Sequence, residues 1–156
     1  MEDKTNAMRL LDGRRLPYIQ HSYPCTQAVS GVEAARLMEL DPAMVYKTLV
    51  TVGKSRAHYV FVIPVAAELS LKKAAKCAGE KSIEMIPMKE LLPLTGYVHG
   101  GCSPIGMKKL FPTFVHETAR EQSAIVFSAG KIGRQIEMCP QDLQKIVPFA
   151  YASLVE

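Results

Sequence analysis

Val45-Tyr46-Lys47-Thr48-Leu49-Val50-Thr51-Val52 and His58-Tyr59-Val60-Phe61-Val62-Ile63-Pro64-Val65, joined through Gly53-Lys54-Ser55-Arg56, are the stretch on which the fold turns. β-Branched and aromatic side chains fill a pleated, half-buried surface well, and the Gly-Lys-Ser-Arg link supplies turn chemistry. The two runs read as a β-hairpin at the centre of a sheet.

On the N-terminal side, residues 5–14 read as a short helix with Thr5 as N-cap and Gly13 near its end, and Pro17 blocks continuation. Residues 18–23 read as extended. Ser30-Gly31-Val32-Glu33 has the capping-box form, in which hydroxyl and carboxylate satisfy each other's backbone N–H groups, and opens a helix through 39. Asp41-Pro42 closes it. Beyond the hairpin, Ser70 is a predicted N-cap for a helix with Leu71, Ala74, Ala75 and Ala78 on one face and Lys72, Lys73 and Lys76 on the other, stopped by Gly79. Strands are predicted at 82–86, 96–99, 113–116, 123–127 and 135–138, with a short helix at 89–92 and a last one after Pro140. Strands outnumber helices and do not alternate regularly with them. The expectation is an α/β (α+β) chain with a mixed, strongly curved sheet and helices packed outside it, not a doubly wound parallel sheet.

The 156 residues suit one domain spanning 1–156, and 48% apolar with 22% charged residues predicts a folded chain. Apolar runs such as 59–67 fall far short of the roughly 20 residues that span a bilayer. Met1 is followed by acidic Glu2 and Asp3, not by a basic and then apolar leader. Cys25, Cys77, Cys102 and Cys139 form no C-x-x-C pair, and His21, His58, His99 and His116 show no metal-ligand spacing. A cytoplasmic protein without metal, cofactor or membrane contact is expected. A net charge of +4 permits contact with a polyanion but falls well short of the signature of a dedicated nucleic-acid binder, and no DNA partner is expected.

Four features can carry chemistry. Lys47 places an ammonium in the middle of a largely apolar strand. Either its stem packs at a sheet edge while the head reaches water, or it is a cation at the floor of a cleft, where low dielectric strengthens its hold on phosphate. Gly100-Gly101-Cys102-Ser103-Pro104-Ile105-Gly106 is either a tight connection or a stiff loop whose N–H groups hold an oxyanion, each donor contributing about 3 kcal/mol to a transition state. His99 lies near Cys102, but sequence proximity does not create the geometry of an activated thiol. Ser128-Ala129-Gly130-Lys131-Ile132-Gly133-Arg134 is either a hairpin turn or a cleft rim, with Ser128 as a polar contact and Lys131 or Arg134 meeting phosphate. The lysines of the 70s helix are a solvated face or, for an RNA ligand, backbone contacts with salt-sensitive binding.

The tracts Tyr46-Lys47-Thr48-Leu49, Leu71-Lys72-Lys73-Ala74-Ala75-Lys76, Thr95-Gly96-Tyr97 and Gly101-Cys102-Ser103-Pro104-Ile105-Gly106 resemble, in order and spacing, the YbaK/EbsC family of aminoacyl-tRNA deacylases, which is related to the editing domain of prolyl-tRNA synthetases. The likeness runs from about Thr5 to the C-terminus. It implies a barrel-like mixed sheet with flanking helices and a pocket for the aminoacylated 3′ end of tRNA. Lys47 matches the family's essential lysine. Gly101, Pro104 and Gly106 match its G-x-x-P-x-G loop, with Gly100 beside it, and Tyr23, Thr48 and Ser128 match pocket positions. The sequence departs from the family at Gly130-Lys131-Ile132-Gly133, where relatives carry Gly-Lys-Arg-Gly, and at Gln135, where some carry aspartate.

The resemblance further implies hydrolysis of cysteine mischarged on proline tRNA, and of Cys-tRNA(Cys), without a cofactor and with prolyl-tRNA synthetase as partner. In that chemistry the substrate's own thiol attacks its ester carbonyl, and an effective molarity on the order of 10⁵ to 10⁸ M leaves the protein the work of shaping the substrate. Lys47 is then expected to anchor the terminal phosphate or ribose, and the Gly101 N–H to hold the aminoacyl group. The alternatives are a water-dependent deacylase for another small amino acid such as alanine, and a non-catalytic tRNA-binding module.

Overall fold

In the computed structural model, which describes residues 3–25 and 27–156, the chain runs through α1 (Asn6–Gly13), β1 (Ile19–Ser22), α2 (Gly31–Leu37), β2 (Tyr46–Gly53), β3 (His58–Pro64), α3 (Leu71–Ala78), β4 (Ile83–Met85), α4 (Met88–Thr95), β5 (Thr113–His116), β6 (Ile125–Lys131), β7 (Arg134–Met138), α5 (Pro140–Ile146) and β8 (Phe149–Ala152). The acidic start at Met1 and Glu2 lies outside the described residues.

The predicted hairpin forms, with Tyr46 opposite Pro64 and Val52 opposite His58. Its turn is tied down by Glu80, which accepts the Ser55 N–H at 3.1 Å and the Tyr59 hydroxyl at 2.6 Å. The hairpin sits inside a mixed sheet of order β4-β2-β3-β5-β8, antiparallel as far as β3 and parallel through β5 and β8. Alternation along β3 divides the core. Val60 and Val62 pack into the main core with Met8, Leu11, Phe127 and Ile136, while Phe61 and Ile63 face Ala74 and Ala75 of α3 on the other side. Full burial of a side chain such as Phe61 contributes about 1.5–3 kcal/mol, which fixes the hairpin's register.

The single sheet expected from the sequence is two. β1, β7 and β6 form a separate antiparallel sheet, which meets the larger one through a parallel bridge between Val45 and Val126. Residues 96–99 are not a strand. Gly96 ends α4 in the left-handed conformation (φ 88°), and the Tyr97 N–H turns back to Thr95 Oγ1 at 3.0 Å. β8 went unpredicted because only Val147 and Pro148 separate it from α5, leaving too short an alternation to read.

The helix caps are close to those expected. Thr5 accepts from Met8 N–H, Ser70 from Lys73 N–H, and Gly79 ends α3 at φ 73°. Leu71, expected on the apolar face of α3, is instead exposed at its first position. The capping box at Ser30 is half formed. Ser30 Oγ accepts the Glu33 N–H at 3.1 Å, but the Glu33 carboxylate binds the Arg36 guanidinium one turn on.

Candidate active site

The two sheets touch at Val45 and Val126, and residues of both line a cavity of about 660 Å³. The strand geometry explains why it opens there. Val45 C=O accepts Val65 N–H on the β3 side, whereas Val50 C=O accepts Ile86 N–H on the β4 side. Even-numbered residues of β2 therefore turn their backbone polar groups away from β3. β4 pairs only with Thr51, Val52 and Gly53, so the edge at Thr48 is covered by no described strand. Lys47 and Thr48 point to opposite faces of β2, yet both line the cavity because it follows this open edge.

Of the residues singled out in the sequence, Tyr23, Lys47, Thr48, Gly100 and Ser128 meet on the cavity wall. The Lys47 side chain is half-buried and makes neither an ion pair nor a hydrogen bond among the described residues. Thr48 Oγ1 is buried with no hydrogen-bond partner among the described residues. Ser128 is buried and its Oγ accepts the Gly130 N–H at 3.1 Å. Burial pushes the Tyr23 hydroxyl above its usual range, partly offset by the Gly133 backbone and the Gln135 amide beside it.

Gly101, Pro104 and Gly106 do not line the cavity; they build the loop behind it. The Gly101 N–H, expected to hold the aminoacyl group, donates instead to Val98 C=O at 3.0 Å. What Gly101 supplies is closeness, since a Cβ there would stand 3.1 Å from Ile132 N and 3.3 Å from the Lys131 backbone. Pro104 is buried, and Ile105 N–H reaches Ser103 Oγ at 3.2 Å. Tyr97 pins the loop by donating its hydroxyl to Ile105 C=O. Burial, with Cys102 nearby, pushes that phenol up to about 12. Gly106 (φ 83°) and Gly130 (φ 101°) both make room for the Tyr97 ring, a Cβ at either coming within 2.9 Å of it.

Cys102 lines the cavity, and burial pushes its thiol up to about 12, which favours the protonated form at neutral pH. The basic residues stand elsewhere. Lys72 and Lys76 are exposed on α3 beside a second, smaller recess, and Lys73 Nζ reaches Val155 C=O at 2.8 Å. Lys131 is exposed beyond the rim, while alternation turns Arg134 away from Gln135 and toward Met8 Sδ, 3.9 Å away.

Sequence reasoning missed the apolar part of the wall, Val29, Met85, Ile86, Met88 and Leu91, because nothing in their spacing distinguishes them from core. It named Gln135 only as a departure from family, whereas the side chain lines the cavity. Among the described residues no group of three His, Cys, Asp or Glu can hold a metal ion, and no helix is long and apolar enough to cross a membrane.

A cavity wall with an unpaired lysine, an orphaned threonine hydroxyl and a rigid Gly-Pro loop is what the tracts quoted above bring together, and the profile of the aminoacyl-tRNA editing domain matches residues 26–146. This chain belongs to the aminoacyl-tRNA editing domain family. The editing-domain sequence is 42% identical over 154 residues, 98% of this chain and 94% of the relative, to Enterococcus faecalis (strain ATCC 700802 / V583) EbsC, which bears the name of a Cys-tRNA(Pro)/Cys-tRNA(Cys) deacylase. Its fold is similar to that of the protein APE2540 (TM-score 0.87, 20% identity, 97% of this chain and 100% of that one). It is also similar to a protein described as a trans-editing enzyme for prolyl tRNA synthetase (TM-score 0.83, 23% identity, 99% of each chain).

Proposed function

We propose that this editing-domain protein is an aminoacyl-tRNA deacylase that removes cysteine from mischarged tRNA(Pro), and from tRNA(Cys), by letting the substrate thiol attack its own ester. In that step the substrate sulfur forms a bond to the ester carbonyl carbon, the bond from that carbon to the ribose oxygen breaks, and the thiol proton ends on the departing 3′ oxygen. The products are free tRNA and a cyclic thiolactone that water opens.

The observation that carries the reading is the pairing of an unneutralised Lys47 with an open strand edge at Thr48 in one cavity. An ammonium left without a carboxylate in a half-buried place is poised for an anion, here the terminal phosphate or its ribose. For the aminoacyl carbonyl the candidate donors are the N–H groups of Gly100 and Cys102, cavity-lining residues that flank the committed Gly101 N–H and whose own N–H groups have no acceptor among the described residues. A protonated Cys102 supports a nucleophile brought by the substrate. The name of the 42% identical relative points to the same amino acid.

In this reading residues 1–156 form one editing domain, the two sheets wrap the main core as an incomplete barrel, and Tyr23 and Ser128 shape the pocket. Pro104 and Gly106 serve it through the loop. Exposed Lys72, Lys76 and Lys131 meet the tRNA backbone in the cytoplasm, with prolyl-tRNA synthetase as partner, a reading to which the synthetase-related structural neighbour lends support. Cysteine, serine, alanine and proline esterified to the same tRNA separate the mechanisms. Cysteine alone should be released rapidly, and comparable release of alanine would replace substrate-thiol attack with activated water.

A further inference from the structure

Gln135 sits in β7, the middle strand of the smaller sheet, directly across from Ser128 and on the same wall of the cavity. It is 7% exposed, its amide lies beside the Tyr23 hydroxyl, and its Oε1 is buried with no hydrogen-bond partner among the described residues. Thr48 Oγ1, on the larger sheet, is orphaned in the same way and lines the same cavity. Buried polar atoms are nearly always paired, so two unpaired ones on facing sheets around one cavity mark where a ligand completes the set.

The chemistry of the atoms narrows what arrives. An amide oxygen only accepts, so its partner must be a donor. Near its reacting carbon an aminoacyl-tRNA ester offers the ester carbonyl, the thiol, the α-amino group and the vicinal ribose 2′-hydroxyl. The carbonyl is itself an acceptor, the thiol is a weak donor that the proposed reaction uses as nucleophile, and the ribose is the part assigned above to Lys47. The α-amino group is the strong donor of the aminoacyl moiety itself. The acid on this cavity wall is Glu68, which is exposed, so among the described lining residues the buried acceptors are neutral.

We propose that Gln135, assisted by Thr48 from the other sheet, recognises the α-amino group of the esterified amino acid, so that the site takes α-aminoacyl esters in preference to acyl esters lacking the amine. The inference rests on the deacylase reading for its substrate class. A binding measurement separates the two.

Two non-hydrolysable probes suffice, 3′-cysteinylamino-adenosine and 3′-(3-mercaptopropionyl)amino-adenosine, which share the thiol and the acyl link and differ in the amine. By calorimetry the protein should bind the amine-bearing probe roughly 10- to 100-fold more tightly, as expected for a hydrogen bond to an ionised donor. Gln135→Leu should abolish most of that ratio by weakening only the amine-bearing probe, Gln135→Glu should retain it, and Thr48→Val should reduce it by less. Equal affinity of the unaltered protein for both probes, or equal weakening of both by Gln135→Leu in a chain that keeps its circular dichroism, overturns the assignment. Amine-dependent binding without release of cysteine from tRNA would leave it standing and remove the deacylase reading instead.

Discussion

The loop from Tyr97 to Gly106 and the open edge of β2 form neighbouring walls of one cavity and are built in opposite ways. In the loop, the groups that hold its shape find partners inside the protein, Gly101 N–H on Val98, Ile105 N–H on Ser103 and the Tyr97 hydroxyl on Ile105, while the Gly100 and Cys102 N–H groups have no acceptor among the described residues. Along β2, Lys47 is unpaired among the described residues and Thr48 Oγ1 is orphaned. A site needs both kinds of wall, since a rigid one sets the shape and an incomplete one supplies the affinity. The comparison explains why the Gly101 N–H, expected to bind, serves the frame instead.

If the open edge is where the chemistry is anchored, Lys47→Ala should lower deacylation by more than about 100-fold while leaving the melting temperature within a few degrees. Normal turnover by a folded variant would end the assignment. The closed wall should respond the other way. Gly130→Ala places a Cβ at φ 101° and 2.9 Å from Tyr97 Cε1, and is expected to destabilise the chain by about 2–4 kcal/mol in urea titration. Thr48→Val sharpens the contrast, because it removes a buried hydroxyl without a partner. Stability should rise by about 1 kcal/mol as turnover falls.

A smaller effect lies away from the cavity, at His116, whose Nδ1 accepts the Leu154 N–H at 3.1 Å. Burial holds its pKa below the ordinary 6.5. The unfolded chain therefore takes up a proton first as pH falls. The contribution is fully present above pH 6.5 and is lost as pH drops toward the folded-state value, with a slope of at most about 1.4 kcal/mol per pH unit. Unfolding titrations at pH 7.5 and 5.5 should differ, and His116→Asn should shrink the difference. The least effect is expected from Cys102→Ser, which should leave deacylation within a few-fold if the substrate brings the thiol, since burial favours the protonated form of Cys102.

Local patterns fix local structure. The hairpin at 45–65, the caps at Thr5 and Ser70, and the β5 strand were legible because side-chain periodicity and capping chemistry act within a few residues. Lys47 also stood out in the sequence, since a charge inside a strand of valines, threonine and leucine breaks the pattern around it. The split into two sheets was not legible. Strand pairing between residues far apart, such as Val45 with Val126, depends on packing that no local window contains. For the same reason only the tertiary structure decided that β4 pairs with β2 no further than Thr51, leaving the edge at Thr48 open, that Gly101 gives its N–H to Val98, and that Gln135 shares a wall with Ser128. A residue's type states which bonds it can make, and the position of every other element determines which of them the fold has already used.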